Sequence, residues 1–334
     1  MKVTIRDIAK VAGVSPATVS NAFSGNNRVS EATRLRVLEI ARKMGYQDPS
    51  RPMLKKSIHF VIFRKHGKVI IDSPFFSELI TGIESACRKN QYELIISYVH
   101  GNDMQMTSSL LKETTRPILL LATEMSEDEL RPFLKAKTPV LVLDSQFLSI
   151  SFHTVHIDNI KAGFLAGEHF ITRGHRDIGM ITSSYPFNNV RDRQIGLEIT
   201  LRQHGLSLDP KNIFAVEPTV EGAFNDMKEL LKARSEPMPS AIFAFNDLVG
   251  AGVIRAMKSH GIRVPEEVSV IGMDNLPTAS MINPALTSVH VPKYAMGYEA
   301  VEQLIRLSDG SEPLVLKTAV DVHLIERESV VDRN

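Results

Sequence analysis

From residue 58 onward the chain repeats one rhythm: a short apolar run, a polar break, then a helical stripe. Residues 58–63 are apolar enough for a central strand, and the helix expected over 74–90 carries Phe76, Leu79, Ile83 and Ala86 on one side. Strands over 92–99, 117–122 and 139–144 alternate with helices near 103–112 and 126–134. After 155–158 a second run begins, with helices over 159–173, 191–204, 220–233 and 248–260. Its strands are expected over 177–182, 213–216, 241–245 and 268–272. Repeated βα units imply a parallel sheet with helices on both faces, here in two similar α/β halves with a cleft between them. Closure of such halves around a ligand is a natural switch.

The 60 residues at the N-terminus read differently. Thr4 caps a first helix with Asp7 at the reciprocal position, and Ile5, Ile8, Ala9 and Ala12 form its apolar stripe. Gly13 supplies the left-handed turn and Val14 plugs the corner. Ser15 caps a second helix with Pro16 at its first position, and Val19 and Phe23 face inward. Ala17, Thr18, Ser20 and Asn21 lie on the other side, small or polar enough to approach base edges, with Asn21 able to donate and accept there. A turn at Gly25, Asn26 and Asn27 precedes Ser30, the cap of a third helix whose stripe is Leu35, Leu38 and Ala41, reinforced by Val37 and Met44. Lys2, Arg28 and Arg34 suit phosphate contacts.

Charge divides the chain in the same place. Residues 1–60 carry net +7 and the remaining 274 carry −6, within a total of +1. A basic helix-turn-helix on an acidic body points to nucleic acid at one end only. At 334 residues two or three domains are expected, and an apolar fraction of 43% with 23% charged fits globular domains. One cysteine excludes an intrachain disulfide and a cysteine-cluster zinc site. No apolar run approaches a membrane span and no export signal opens the chain, so a cytoplasmic, nucleoid-associated protein is expected.

Residues 4–46, through the run Val14-Ser-Pro-Ala-Thr-Val-Ser20 and the closing Met44-Gly-Tyr46, resemble the DNA-binding head of the lactose and galactose repressor family. The body resembles that family's periplasmic-binding-protein-like core. Its matching pieces are Ser73-Pro-Phe-Phe-Ser-Glu-Leu79, Arg193-Gln-Ile-Gly-Leu197, Ala244-Phe-Asn-Asp-Leu248 and Val264-Pro-Glu-Glu-Val-Ser-Val-Ile-Gly-Met-Asp-Asn275. The fold class implied is an all-α helix-turn-helix head plus an α/β core of two Rossmann-like subdomains. The boundaries are a head over 1–46, a hinge over 47–57, a core over 58–324 and a tail over 325–334. Each subdomain is discontinuous: about 58–157 with 290–320, and about 158–289 with the C-terminal strand.

The resemblance implies a homodimeric repressor that binds a nearly palindromic operator, with helix 15–23 in the major groove. DNA contacts are expected from Thr4, Ser15, Pro16, Ala17, Thr18, Ser20, Asn21, Arg28 and Arg34. In the hinge, Met53 or Leu54 is the expected minor-groove wedge. This hinge departs from the family pattern at Asp48, Pro49 and Pro52, which leaves a short helix from Arg51 and a flexible tether both open. No leucine-heptad tail follows Arg327-Glu-Ser, so the family's tail-mediated tetramer is not expected.

The resemblance implies no cofactor and a small-molecule effector, with a sugar first and a nucleobase or phosphorylated metabolite as the alternative. Effector contacts are expected from Arg193, Asp274 and Asn246, then from Phe75, Phe76, Asp144 and Asp158. Asn246 and Asp274 follow apolar strands, where open sheets bind ligands, and Arg193 offers a planar fork of donors. Strand-end capping is the competing role for the Asp and Asn residues. Arg64 or Lys65, in an unusually long loop, reaches the cleft mouth or is simply solvated. No phosphate loop, histidine cluster or nucleophile–base pair supports an enzyme. Two competitors remain: a sugar-binding protein without DNA function, against which the basic head argues, and a DNA-binding regulator whose main partner is another protein and whose cleft is vestigial.

Overall fold

The computed structural model describes residues 3–24, 29–46, 56–69, 73–101, 103–311 and 314–334. Expectations at Lys2, Arg28, the turn 25–27 and hinge residues 47–55, Met53 and Leu54 included, lie outside the described residues. The chain forms two compact units, Met1–Lys56 and Ser57–Asn334.

The first unit contains α1 (Ile5–Ala12), α2 (Pro16–Ser24) and α3 (Glu31–Lys43). Thr4 and Asp7 form the expected reciprocal cap, and Gly13 turns the chain at φ +64°. Ile8, Ala9, Ala12, Val19, Ala22, Val37 and Ala41 are buried together, with Val14, Phe23, Ile40 and Met44 packed around them. The stripe of α3 differs from the expected one. Val37, Ile40, Ala41 and Met44 face the core, whereas Leu35 is 60% exposed and Leu38 is half-buried outside the cluster. Spacings of three, four and seven residues place those four on one side, and Leu35 falls on the opposite side of the helix.

The second unit opens with β1 (Ser57–Arg64), α4 (Pro74–Lys89), β2 (Glu93–His100), α5 (Met104–Glu113) and β3 (Ile118–Leu121). It continues through α6 (Glu127–Leu130), a 3-10 turn over Arg131–Lys135, β4 (Val140–Leu143) and β5 (His153–Ile157). Then follow α7 (Asn159–Thr172), β6 (Ile178–Ser183), α8 (Asn188–Gln203), β7 (Ile213–Val216), α9 (Val220–Ala233), β8 (Ala241–Ala244) and α10 (Asp247–Ser259). The last elements are β9 (Ser269–Asp274), α11 (Pro277–Met281), β10 (Thr287–His290), α12 (Lys293–Ser308), β11 (Lys317–Val320) and β12 (His323–Ile325).

One sheet has the order β11-β5-β4-β3-β1-β2 and is parallel throughout. The other has the order β12-β10-β9-β8-β6-β7, with only β10 and β12 antiparallel. The backbone passes from the first sheet to the second after Ile157, returns after His290, and passes again between Val320 and His323. Three strands of chain therefore join the lobes, which permits bending and resists separation. Helix α8 starts at Asn188, three residues before the expected start, and this brings Asn189 into its first turn.

Each lobe is tightened by a pair of glycines where two helices touch backbone to backbone. A Cβ at Gly163 of α7 would lie 1.9 Å from the Arg193 carbonyl oxygen, and one at Gly196 of α8 would lie 1.9 Å from that of Ile160. In the other lobe, a Cβ at Gly82 would lie 2.0 Å from the Tyr294 oxygen and one at Gly297 2.2 Å from that of Leu79. Neither contact tolerates a methyl group without moving a helix. Gly163→Ala is expected to lower the melting temperature by roughly 5–10 °C, the scale of an overpacked core in a domain this large. A thermal denaturation curve superimposable on that of the unsubstituted protein would show that α7 and α8 can part freely.

Candidate functional site

On the head, the capping of α2 sets what its outer face has left to offer. Ser15 Oγ accepts the Thr18 amide hydrogen at 3.0 Å, and the two hydroxyls meet at 2.8 Å. Pro16, Ala17 and Ser20 are exposed, and Asn21 and Thr18 are half-buried. The Asn21 side chain makes no hydrogen bond to protein among the described residues, so its amide is available to an outside partner. Thr4 is engaged by Asp7, whose carboxyl those bonds hold below the usual range. Arg34 lies 3.6 Å from Glu31 in an exposed pair of little energetic weight.

In the second unit a cavity lies between the lobes. Val69, Ser73, Phe75, Phe76, Thr123, Asp144 and Ile157 line it from one side, and Phe187, Asn189, Val190, Arg193, Phe245, Asn246 and Asp274 from the other. It gathers six of the seven expected effector residues. Asp158 is not among them: its carboxylate accepts the Lys161 amide hydrogen at 3.0 Å and caps α7.

Arg193 is 6% exposed and is held from both ends of its guanidinium. Its Nε donates to Asn159 Oδ1 at 2.8 Å, and Nη1 donates to the Phe245 carbonyl. The close α7–α8 approach thus delivers a rigid cation to the cavity wall, with the fork only partly consumed. Burial pulls its pKa below the usual range, while Asp274, Asp144, Asp192 and Asp247 oppose that pull.

The two carboxyls differ in what the protein gives them. Asp144 accepts from Thr123 Oγ1 at 2.6 Å and from Asn189 Nδ2 at 3.3 Å. Burial still pushes it up to about 6, against the lowering effects of Thr123, Arg193 and Asn189. The Asp274 carboxyl accepts no hydrogen bond from a side chain among the described residues. Burial pushes it up to about 7, against Arg193 and Lys293. Both sit at positive φ, Asp144 at +61° and Asp274 at +99°, a region uncommon for residues other than glycine. The strain turns both side chains at strand ends into the cavity, as at many ligand sites. Asp247 lies behind them, pushed up to about 8 by burial and by Asp274, and is bound by Ser288 Oγ at 2.6 Å and the Leu276 amide at 2.7 Å.

Asn246 is divided between two tasks. Its Oδ1 accepts the Val249 amide hydrogen at 2.9 Å and caps α10, while it also lines the cavity. Sequence reasoning missed Asn189 and Phe187; the pair Asn188-Asn189 ahead of a helix was the available signal. Arg64 lies over the Tyr98 ring at 3.9 Å and Lys65 pairs with Glu129 at 3.0 Å, so neither lines the cavity. Among the described residues no cluster of His, Cys, Asp and Glu is arranged for a metal ion, and no helix is long and apolar enough to cross a membrane.

Comparison with known proteins places these features in company. Residues 4–49 match the family described as bacterial regulatory proteins, lacI family, and residues 168–330 match the periplasmic binding protein-like domain. The HTH-type transcriptional repressor PurR of Aliivibrio salmonicida is 32% identical over 92% of either chain. The ribose operon repressor of Haemophilus influenzae is 29% identical over 91% of either chain. Among solved structures, a complex of the transcriptional regulator CelR with cellobiose superposes with a TM-score of 0.75 at 25% identity, covering 98% of this chain and all of that one.

The raised Asp274 carboxyl has a measurable consequence. A carboxyl whose folded pKa exceeds its unfolded one keeps its proton longer in the folded state, so its ionisation costs stability as pH rises from about 4 to about 7. Asp274→Asn removes that ionisation. Its stability is expected to match the unsubstituted protein near pH 4 and to exceed it progressively up to about pH 8, in the absence of ligand. A difference that does not change with pH in chemical denaturation would show that Asp274 titrates in its ordinary range.

Proposed function

The chain belongs to the lacI family of bacterial regulatory proteins, ligand-responsive regulators of transcription, and from that premise we propose that it is a homodimeric operator-binding repressor controlled by a small neutral ring compound in the inter-lobe cavity. The observation that carries this reading is Asp274: a buried carboxyl on the cavity wall beside a fixed guanidinium, with no side chain among the described residues donating to it.

The charge balance of the wall selects the effector class. Asp144 and Asp274 outnumber Arg193, so a phosphorylated metabolite would bring its charge towards two carboxyls and is disfavoured. Four phenylalanines, Phe75, Phe76, Phe187 and Phe245, favour a flat apolar body. A carboxyl pushed up to about 7 offers both a donor and an acceptor at neutral pH, matching the adjacent N–H and carbonyl edge of a nucleobase. A nucleobase therefore comes before the sugar that sequence reasoning put first. A pentose is the second reading, since vicinal hydroxyls also pair with carboxylates and a relative of equal length is named a ribose operon repressor.

In the head, Asn21 reads a base edge and the exposed face of α2 enters the major groove. Exposed Ile96 and Tyr98 on β2, together with Met281, offer apolar surface to a second copy.

Two experiments test this. Calorimetric titration of the full-length protein with hypoxanthine, guanine, ribose and ribose 5-phosphate should give binding by a neutral compound and none by the phosphate ester. Arg193→Gln and Asp274→Asn should each weaken that binding roughly 10- to 100-fold. Preference for the phosphate ester would overturn the effector class. Operator selection with Asn21→Ala should relax preference at one base pair, worth about 1–3 kcal/mol, and leave effector binding intact. Uniform loss on all DNA would remove Asn21 from base recognition.

A further inference from the structure

Residues 65–69, just after β1, are organised by a buried carboxylate that effector binding does not explain. The Glu124 side chain, just beyond β3, is fully buried. Its Oε2 accepts backbone N–H groups from Lys65 at 2.8 Å, His66 at 3.1 Å and Gly67 at 2.9 Å, and Val69 N approaches Oε1 at 3.5 Å. Successive amides converging on one oxygen compensate a buried carboxylate without a cationic side chain. Gly67, at φ +73°, supplies the backbone turn that this wrapping needs. His66 Nδ1 lies 3.3 Å from Oε1 but is not aligned as a hydrogen bond. Glu124 therefore fixes the path of the loop backbone, and the His66 ring is free to serve another contact.

That contact lies across the cleft. The His66 ring packs on Tyr185 with centroids 4.1 Å apart, and its edge meets Phe187 at 5.4 Å. Two residues on, Lys68 Nζ reaches Glu217 at 3.1 Å. Tyr185, Phe187 and Glu217 all belong to the lobe built on the second sheet. Phe187 and Val190 line both the inter-lobe cavity and a second pocket, which Lys65 and Tyr185 also line. The His66–Phe187–Tyr185 stack thus stands where the two pockets adjoin.

We propose that the stretch 65–69 is the gate of the effector cavity, and that His66 is the positioning residue whose stack on Tyr185 holds the lobes closed. The proposal rests on the cleft being the effector site, but its test needs no effector. The surface ion pair Lys68–Glu217 is partly exposed and contributes little. The aromatic stack is the closing contact, and Glu124 acts through His66 by presenting it.

Spin labels at Leu148→Cys on one lobe and Glu221→Cys on the other, in the full-length ligand-free protein, report lobe separation. The native Cys87 is buried and its thiol is pushed up to about 12, so it does not compete for label. The labelled protein should give a narrow short distance. His66→Ala should lengthen and broaden it, while His66→Phe, which keeps a ring but no imidazole nitrogen, should restore it. Glu124→Gln should raise hydrogen exchange of the amides at 65–67 by about tenfold or more and lengthen the distance in parallel. An unchanged distance in His66→Ala sinks the gate, as does failure of His66→Phe to restore it. Either result leaves the effector assignment standing, because that depends on Arg193 and Asp274.

Discussion

A guanidinium taken out of water costs several kcal/mol unless its donors and its charge are both met, and Arg193 is where this chain accepts that cost. The surrounding structure is arranged to meet it. The α7–α8 contact at Gly163 and Gly196 places the backbone of Arg193 against α7, so that Asn159 of α7 can take one donor. The end of β8 supplies the Phe245 carbonyl for another. Asp274 from β9 and Asp144 from β4 supply opposite charge, one from each sheet. Neither carboxyl makes a direct ion pair with the guanidinium, so the space between them belongs to whatever fills the cavity. A ligand able to bridge those groups replaces lost hydration, and the gain is available only when both lobes are close.

The connections between lobes agree with that reading. Lys293, 2% exposed at the start of α12, donates to the carbonyl of Asp274 at 2.8 Å and to that of Val291 at 3.1 Å, and lies 3.3 Å from Glu78 of α4. It thus fastens the second crossing to the strand end that bears the site carboxyl and to a helix of the opposite lobe. On the far side of the cavity, Gln146 donates to Asp192 at 3.2 Å and Asn189 to the Asp144 carbonyl at 3.0 Å. These polar contacts are individually modest and can be exchanged for water, whereas the Lys293 anchor is buried and permanent. Opening therefore bends the molecule about the crossings and breaks only the contacts at the cavity side.

Much of this was legible in the chain itself, and the failures have physical causes. Caps at Thr4 and Ser15 are local chemistry, and they were readable because each side chain accepts an amide hydrogen only three residues on. The central strands β1, β3, β4, β6, β8 and β9 were readable as apolar runs because parallel strands are buried on both faces. Helix α12 was missed although Met296, Ala300, Val301 and Leu304 repeat at helical spacing, since a buried lysine and glutamine interrupt the pattern. Leu35 was assigned to the head core through the spacing of three that links it to Leu38 and Ala41, but that spacing drifts around the helix, and the phase of α3 favours Val37, Ile40, Ala41 and Met44. At the cavity, Arg193 and Asp274 followed from resemblance, but the different duties of Asp144 and Asp158 depend on partners far away in sequence. The wrapping of residues 65–69 around Glu124 joins positions more than fifty apart, and no local signal encodes it.

Regulation by such a cavity is limited by thermodynamics. An effector shifts the lobes only by the difference in its affinity for the open and closed arrangements. Here the groups best placed to provide that difference, Asp144 and Asp274, sit on opposite lobes with raised pKa values, a cost of burial that the closed cleft carries until a ligand meets it. A neutral ligand that satisfies both relieves that cost in the closed state alone. Binding energy is thereby converted into a preference for one lobe arrangement, which is the only currency in which the cavity can influence DNA binding.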